Sequence, residues 1–335
     1  MINAYRLRVA LIVAAAALSP AGCGKRRAGA FAYVSNERAG SVTVIDTRTD
    51  QVVSTISVGA RPRGIRVSPD GKLIYVALSY PSNHREGEDK IAAIDVSSEK
   101  IVAELDAGTD PERFAVSRDG KRIYVSNEDA GTASVIDVEA RKVIATLVVG
   151  IEPEGVTLSP DGRWAYVTAE SSSNVSVIDT RTNEVATTFS VGARPRETAF
   201  SPDGARAYVT AENGRNVSVV DVAGGHKVVA TIDLARAAPG DVKPVGALAS
   251  SDGRRLYVAA GRANCVFVID TATRQVVATV PTGQRTWGLA FTPDERKLYA
   301  ANGLSNDVTV IDTQTNAVVV TVKAGEGAWG VVVKP

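Results

Sequence analysis

The stretch PEGVTLSPDGRWAYVTAESSSNVSVIDTRTNEVATTFSVG, residues 153–192, contains four apolar runs separated by turn chemistry. The runs are Gly155–Leu158, Trp164–Thr168, Val175–Ile178 and Glu184–Phe189. They are rich in Val, Ile, Thr and Tyr, which fit a pleated surface, and none is long enough to carry a helical period. Between the first two runs stands Ser159-Pro160-Asp161-Gly162. There Pro presets φ, Asp bonds the turn backbone and Gly takes positive φ. Asp179-Thr180-Arg181-Thr182 breaks the last two runs with side-chain caps. The stretch reads as four short antiparallel strands in one twisted sheet.

The same phrase recurs along the chain. Its tyrosines are Tyr33, Tyr75, Tyr124, Tyr166, Tyr208, Tyr257 and Tyr299. Its aspartates are Asp46, Asp95, Asp137, Asp179, Asp221, Asp270 and Asp312, so the step is 42 residues, or 49 where seven extra residues are inserted. A period in the low forties, built of short β-rich runs, is the mark of propeller blades. The expected fold is all-β: a seven-bladed β-propeller with four antiparallel strands per blade. Sheets apolar on both faces must stack on copies of themselves, and a ring of seven leaves no open end. The chain starts out of phase, with Phe31-Ala32-Tyr33-Val34 as a second run, and closes on Trp329-Gly330-Val331-Val332-Val333, a first run. The C-terminal strand is therefore expected to complete the N-terminal blade, because an open ring would expose two unpaired edges. The propeller takes up residues 31–335 and leaves nothing for a second domain; 24–30 is a short linker.

Lys and Arg number 38 against 37 Asp and Glu, a net charge of +1. That balance speaks against a nucleic-acid binder, which would carry a basic excess. Residues 1–23 read as an export signal: Arg6 and Arg8, then the apolar run Val9–Leu18, then small residues. The run is too short to span a bilayer. Leu18-Ser19-Pro20-Ala21-Gly22-Cys23 resembles a bacterial lipobox, with Pro20 where Leu is usual. Two outcomes stand open: lipidation at Cys23, with the membrane reached only through that anchor, or cleavage after Ala21 or Ala30 and a soluble product. Either places the protein in the periplasm or outside the cell, as a monomer. Cys265 is the remaining thiol and reads as a small half-buried residue, so no disulfide braces the ring.

Turns of the Ser-Pro-Asp-Gly and Asp-Thr-x-Thr kinds emerge on one face and are nearly uniform, which reads as scaffold. The opposite face varies, and both insertions fall there: Tyr80–Glu86 and Arg236–Val242. Variable loops on a rigid ring are where binding residues gather. In the Pro-x-Gly segment entering each innermost strand, x is Arg63, Glu112, Glu154, Arg196, Val245, Trp287 and Trp329. These equivalent positions should circle the mouth of the central channel. Ahead of the Pro lies a second ring, Arg61, Asp110, Glu152, Arg194, Lys243, Arg285 and Gly327. Carboxylates Glu37, Glu128, Glu170 and Glu212 recur four residues after the blade tyrosines. The candidate site is Arg61, Arg63, Glu112, Glu154, Arg196, Arg285, Trp287 and Trp329. Its centre is expected where Trp287, Trp329 and Arg285 adjoin Arg63, a place to stack a planar ligand and neutralise an anionic group. The competing reading has the tryptophans sealing blade junctions and the charges pairing in solvent.

Catalytic groups are scarce. His84 and His226 lie on opposite faces and cannot share a site, which excludes a multi-His metal centre. Gly224-Gly225 is a turn with no helix after it, so it does not cradle phosphate. Mouth carboxylates could take a divalent cation through oxygen, but the flanking arginines oppose it. No catalytic residue, metal or cofactor is expected.

Tyr166-Val167-Thr168 and Val175-Ser176-Val177-Ile178-Asp179 resemble the YVTN-type β-propeller repeat. Over 31–335 the chain further resembles the propeller proteins associated with PQQ-dependent catabolism. The resemblance rests on Tyr33-Val34-Ser35-Asn36-Glu37, Arg61-Pro62-Arg63-Gly64, Gln284-Arg285-Thr286-Trp287, Phe291-Thr292-Pro293-Asp294-Glu295 and Gly303-Leu304-Ser305-Asn306-Asp307. It implies export and a setting among PQQ-dependent alcohol oxidation, c-type cytochromes and an ABC exporter, and it supplies no catalytic residues. The Trp-containing repeat of propellers that hold PQQ themselves is missing. Two function classes follow. One is a non-catalytic binding or assembly factor, with a protein or small molecule at the variable face. The other is a propeller hydrolase or lyase, such as a sugar lactonase or streptogramin lyase.

Overall fold

The computed structural model describes residues 29–80 and 89–334. Its strands pair into seven sheets of four. Blade 4 runs outward as Pro153–Leu158, Trp164–Ala169, Asn174–Asp179 and Glu184–Ser190, antiparallel throughout. Five other blades follow the same order along the chain. Blade 1 takes its innermost strand, Ala328–Lys334, from the far end and pairs it with Phe31–Asn36, Phe31 opposite Lys334 and Tyr33 opposite Val332. The ring is thus closed as the phase of the repeat requires. Among the described residues every regular element is a strand, and no helix is long and apolar enough to cross a membrane. The proposed signal 1–23 with Cys23, the start of the linker, His84 with most of its insertion, and Pro335 lie outside the described residues.

Both faces of the middle strands of each sheet are buried, because the core lies between blades, while the outermost strands are largely exposed. Tyr33, Val42 and Val44 of blade 1, for example, pack with Ile65, Ile74 and Val76 of blade 2. The repeated Tyr-Val-Ser/Thr phrase supplies polar clamps between neighbours. The tyrosine reaches the turn before the outermost strand of the next blade. Tyr124 donates to Asn183 Oδ1 at 2.9 Å, Tyr299 donates to Asp50, and Tyr166 Oη pairs with His226 Nδ1 at 2.6 Å. The hydroxyl two residues on reaches the next innermost strand. Ser35 donates to the Arg63 carbonyl at 2.6 Å, Ser126 to that of Glu154 at 2.6 Å, and Thr210 to that of Val245 at 2.6 Å. The aspartates that end the third strands accept turn amides, as Asp137 does from Ala140 N at 2.8 Å. At Asp179 the Arg181 side chain, and after it the turn amide of Arg181, hold the carboxyl down to about 2. These carboxylates are structural, as their recurrence in every blade implied.

His226 occupies the clamp position that is Asn183 in blade 4 and Asn316 in blade 7. It is buried against Tyr166, and Trp164 meets its ring edge-on at 4.9 Å. Burial first, and then the charge of Arg163, hold its imidazole below the ordinary 6.5. The unfolded chain then binds the proton more readily than the folded one. The stability supplied by neutral His226 is present above about 6.5 and falls as pH drops through that value toward the lowered one. Urea midpoints measured from about pH 7 to about pH 5 should fall more steeply for the parent than for His226→Asn. Parallel slopes would remove His226 from the acid response.

Candidate functional site

In every blade but blade 6 the innermost strand enters through a bulge. In blade 4 the pairing jumps from Pro153–Ala169 to Val156–Val167, and the same break occurs in blades 2, 3, 5 and 7. The unpaired residues at the bulge are x and the residue after it, and a bulge re-aims side chains. That second residue is usually Gly because neighbouring strands nearly touch. A Cβ on Gly155 would lie 2.2 Å from the Arg196 carbonyl oxygen, and one on Gly246 equally close to that of Trp287. Blades 3 and 5 depart from the rule with Arg113 and Glu197.

The charged residues of the mouth are joined across the ring rather than paired in solvent. Glu112, Glu154 and Arg196 are at most 5% exposed. Arg63 ion-pairs with Glu112, lies 3.0 Å from Glu37 and 3.5 Å from Glu128. Arg61 sits 3.7 Å from both Glu37 and Asp110. Arg196 pairs with Glu170 and lies 3.1 Å from Glu154. One step deeper, Arg113 Nη1 meets Glu197 Oε2 at 2.6 Å over the top of blade 4, and Arg66 approaches Glu197 from blade 2 at 3.7 Å. These side chains span the bore. Burial, and then the charge of Glu154, push the Glu128 carboxyl above the usual range, against the pull of Arg63. Asp110, Glu112 and Glu128 bring carboxylate oxygens within 4.8 Å of one another. The guanidinium of Arg63 stands against that group where a metal cation would have to sit.

The aromatic half differs. Trp287 and Trp329 stack with centroids 5.9 Å apart and planes at 22°. Arg113 lies over Trp329 at 4.5 Å and Arg285 over Trp287 at 4.4 Å. Trp329 is only 5% exposed and packs in the closing blade, yet it still contributes to the lining of the cleft beside Trp287. Trp287 is half-buried and borders a cleft of about 460 Å³ with Arg38, Arg262, Arg285, Leu304 and Glu37. The structure therefore brings Trp287, Trp329 and Arg285 together as expected, but Arg63 is turned into the acidic sector, and Arg38 and Arg262 take its place. Arg113 and Glu197 were visible in the sequence as breaks in a glycine register. Arg38, Arg262 and Leu304 come from separate loops without a register. Elsewhere, Cys265 is buried rather than half-buried and its thiol is pushed up to about 11 by desolvation, which leaves it inert. His226 lies with Tyr166 and Trp164, not at the mouth.

Seven blades, a bore spanned by ion pairs and a cleft on the variable face define a seven-bladed β-propeller with its distinctive chemistry at one mouth. The choice-of-anchor I domain model matches residues 15–195, more than half of the chain, and the chain belongs to that family. Residues 180–334 match the model of the seven-bladed lactonase β-propeller. Two curated relatives, the uncharacterized protein YncE of Salmonella typhi and that of Salmonella typhimurium (strain LT2), are each 38% identical over 55 residues, a match covering 16% of this chain and 16% of theirs. Among solved structures, Kuenenia stuttgartiensis hydrazine synthase is similar with a TM-score of 0.74 and 26% identity, over 84% of this chain and 92% of that one. A putative 6-phosphogluconolactonase of Bacteroides uniformis shares the fold at a TM-score of 0.73 and 18% identity, over 91% and 99%.

Proposed function

We propose that this protein is an exported, non-catalytic propeller, acting as a single chain, that serves as a binding or assembly factor through the cleft beside Trp287. Its setting, by resemblance, is a PQQ-dependent alcohol-oxidation pathway or its transporter; if Cys23 is lipidated, that anchor is its one link to the membrane, and otherwise the exported chain is released. The observation that carries the reading is the asymmetry of the mouth. Around blades 2 to 5 the ionisable groups neutralise one another, whereas blades 6, 7 and 1 frame an open cleft with an indole wall. A concave, partly apolar site with a few convergent polar groups suits a ligand or an inserted side chain.

Hydrolysis is the rival, supported by the match of residues 180–334 to the lactonase model and by Glu128, a carboxyl raised toward general-acid use. Purified chain should release no acid from γ- and δ-lactones, with or without a sugar phosphate, above a heat-treated control. Turnover that Glu128→Gln abolishes would establish the hydrolase instead. In a thermal-shift library screen, compounds that stabilise the parent should bind Trp287→Ala at least about tenfold more weakly, the loss of a stacking contact at a hot spot. Undiminished binding would place the functional surface elsewhere. Trp329→Ala is not a test of binding, because its buried ring contributes to the core.

A further inference from the structure

We propose that the cleft over blades 6, 7 and 1 receives a carboxylate carried on a small apolar body, the anion held by Arg262 and Arg285 and the body by Trp287 and Leu304. This inference rests on the reading of the mouth as a ligand site and names the ligand class.

The cleft has a surplus of positive charge. Glu212 serves three guanidiniums at once: Arg194 at 3.2 Å, Arg285 at 3.3 Å and Arg196 at 3.6 Å. Glu37, the carboxylate on the cleft wall, is committed to Arg63 and Arg61. Arg262 is exposed and makes no ion pair or hydrogen bond among the described residues. Arg285 is half-buried, and after desolvation it is the charges of Arg262, Arg196 and Arg194 that depress its proton affinity, with Glu212 opposing. An anion placed between Arg262 and Arg285 would relieve that repulsion. A planar carboxylate matches the guanidinium fork.

The rest of the lining is apolar and held in place. Leu304 is 60% exposed at the rim, although its loop is tied down. Leu304 N donates to the Gln284 carbonyl at 3.0 Å and Gly303 N to that of Arg285 at 2.9 Å. Arg38 braces the same loop from blade 1, donating to the Gly303 carbonyl at 3.1 Å and to Asn306 Oδ1 at 2.9 Å. An exposed leucine on a braced loop lines the same cleft as the indole, over which Arg285 itself lies at 4.4 Å, so the apolar lining adjoins the cations. Inorganic anions would leave that lining unused, and neutral hydrocarbons would leave the guanidiniums unanswered.

The test is a fluorescence titration of the Trp164→Phe chain, in which Trp287 and Trp329 report, with phenylacetate, 2-phenylethanol, 2-phenylethylamine, acetate and inorganic phosphate. Phenylacetate should saturate. The alcohol, the amine, acetate and phosphate should each bind at least roughly tenfold more weakly. Arg262→Gln breaks no ion pair of the fold and should erase most of the preference for acid over alcohol. Leu304→Ser should weaken phenylacetate and leave acetate unchanged. Equal binding of acid and alcohol, or an unaltered Arg262→Gln, overturns the assignment of charge while leaving a ligand site at the mouth. Binding of no member of the series overturns this ligand class, and the library screen then decides the wider reading. A tighter response to phosphate than to phenylacetate would assign an inorganic anion instead.

Discussion

A chain that ends at Gly327 is expected to lose cooperative unfolding. The missing segment is the innermost strand of blade 1, where Ala328, Trp329 and Val331 are buried and Gly330 N donates to Ser35 Oγ at 2.9 Å. Each large apolar side chain taken out of water stabilises by about 1.5–3 kcal/mol. Trp329 and Val331 are lost, and the side of Ile65 that faces Gly330 is uncovered. Added to a ladder of unpaired backbone groups, the loss is comparable with the whole margin of about 5–15 kcal/mol for a folded domain. Urea unfolding followed by circular dichroism and by the fluorescence of Trp164 and Trp287 should give non-coincident transitions, and size-exclusion chromatography should show aggregates from edge pairing. A truncated chain with the parent's midpoint and slope would mean that the ring does not depend on this strand.

Arg113→Ala is expected to destabilise the fold by about 3–5 kcal/mol, the cost of leaving buried carboxylates without their cation. Arg113 is 3% exposed, meets Glu197 at 2.6 Å and stands 3.8 Å from Glu154. Its guanidinium also covers Trp329. Glu197 keeps only the more distant Arg66 at 3.7 Å, while Glu154 retains Arg196. Replacing both members, Arg113→Met with Glu197→Met, should recover most of the loss, because the desolvation of both charges disappears with their attraction. The coupling is read from a double-mutant cycle of urea midpoints. An unchanged Arg113→Ala, or a double variant that loses the sum of the singles, would show that the bar across the bore contributes nothing to stability.

Much of this molecule was legible in one dimension. The seven tyrosines and their spacing specified the blade count, because a four-stranded sheet with two apolar faces is stable only against copies of itself. The phase of the repeat specified the closure. Register alone also placed Arg63, Glu112, Glu154, Arg196, Trp287 and Trp329 around one mouth, since equivalent positions of equivalent blades share a radius. The partners of these residues were decided only by the tertiary structure. Side chains of six or more atoms reach across the bore to blades one or two removed, as Arg113 does to Glu197 and Arg285 to Glu212. Which arginine meets which carboxylate depends on the bore's width and on bulges that carry no compositional mark. For the same reason Arg63 is drawn into the acidic sector, and of the two cleft-lining tryptophans in one register Trp329 is buried in the closing blade while Trp287 is half-buried. Arg38, Arg262 and Leu304 lie far apart in the chain, and ring closure brings the first of them beside the other two. A repeat dictates the ring; charge pairing inside the ring dictates which part of its mouth stays open.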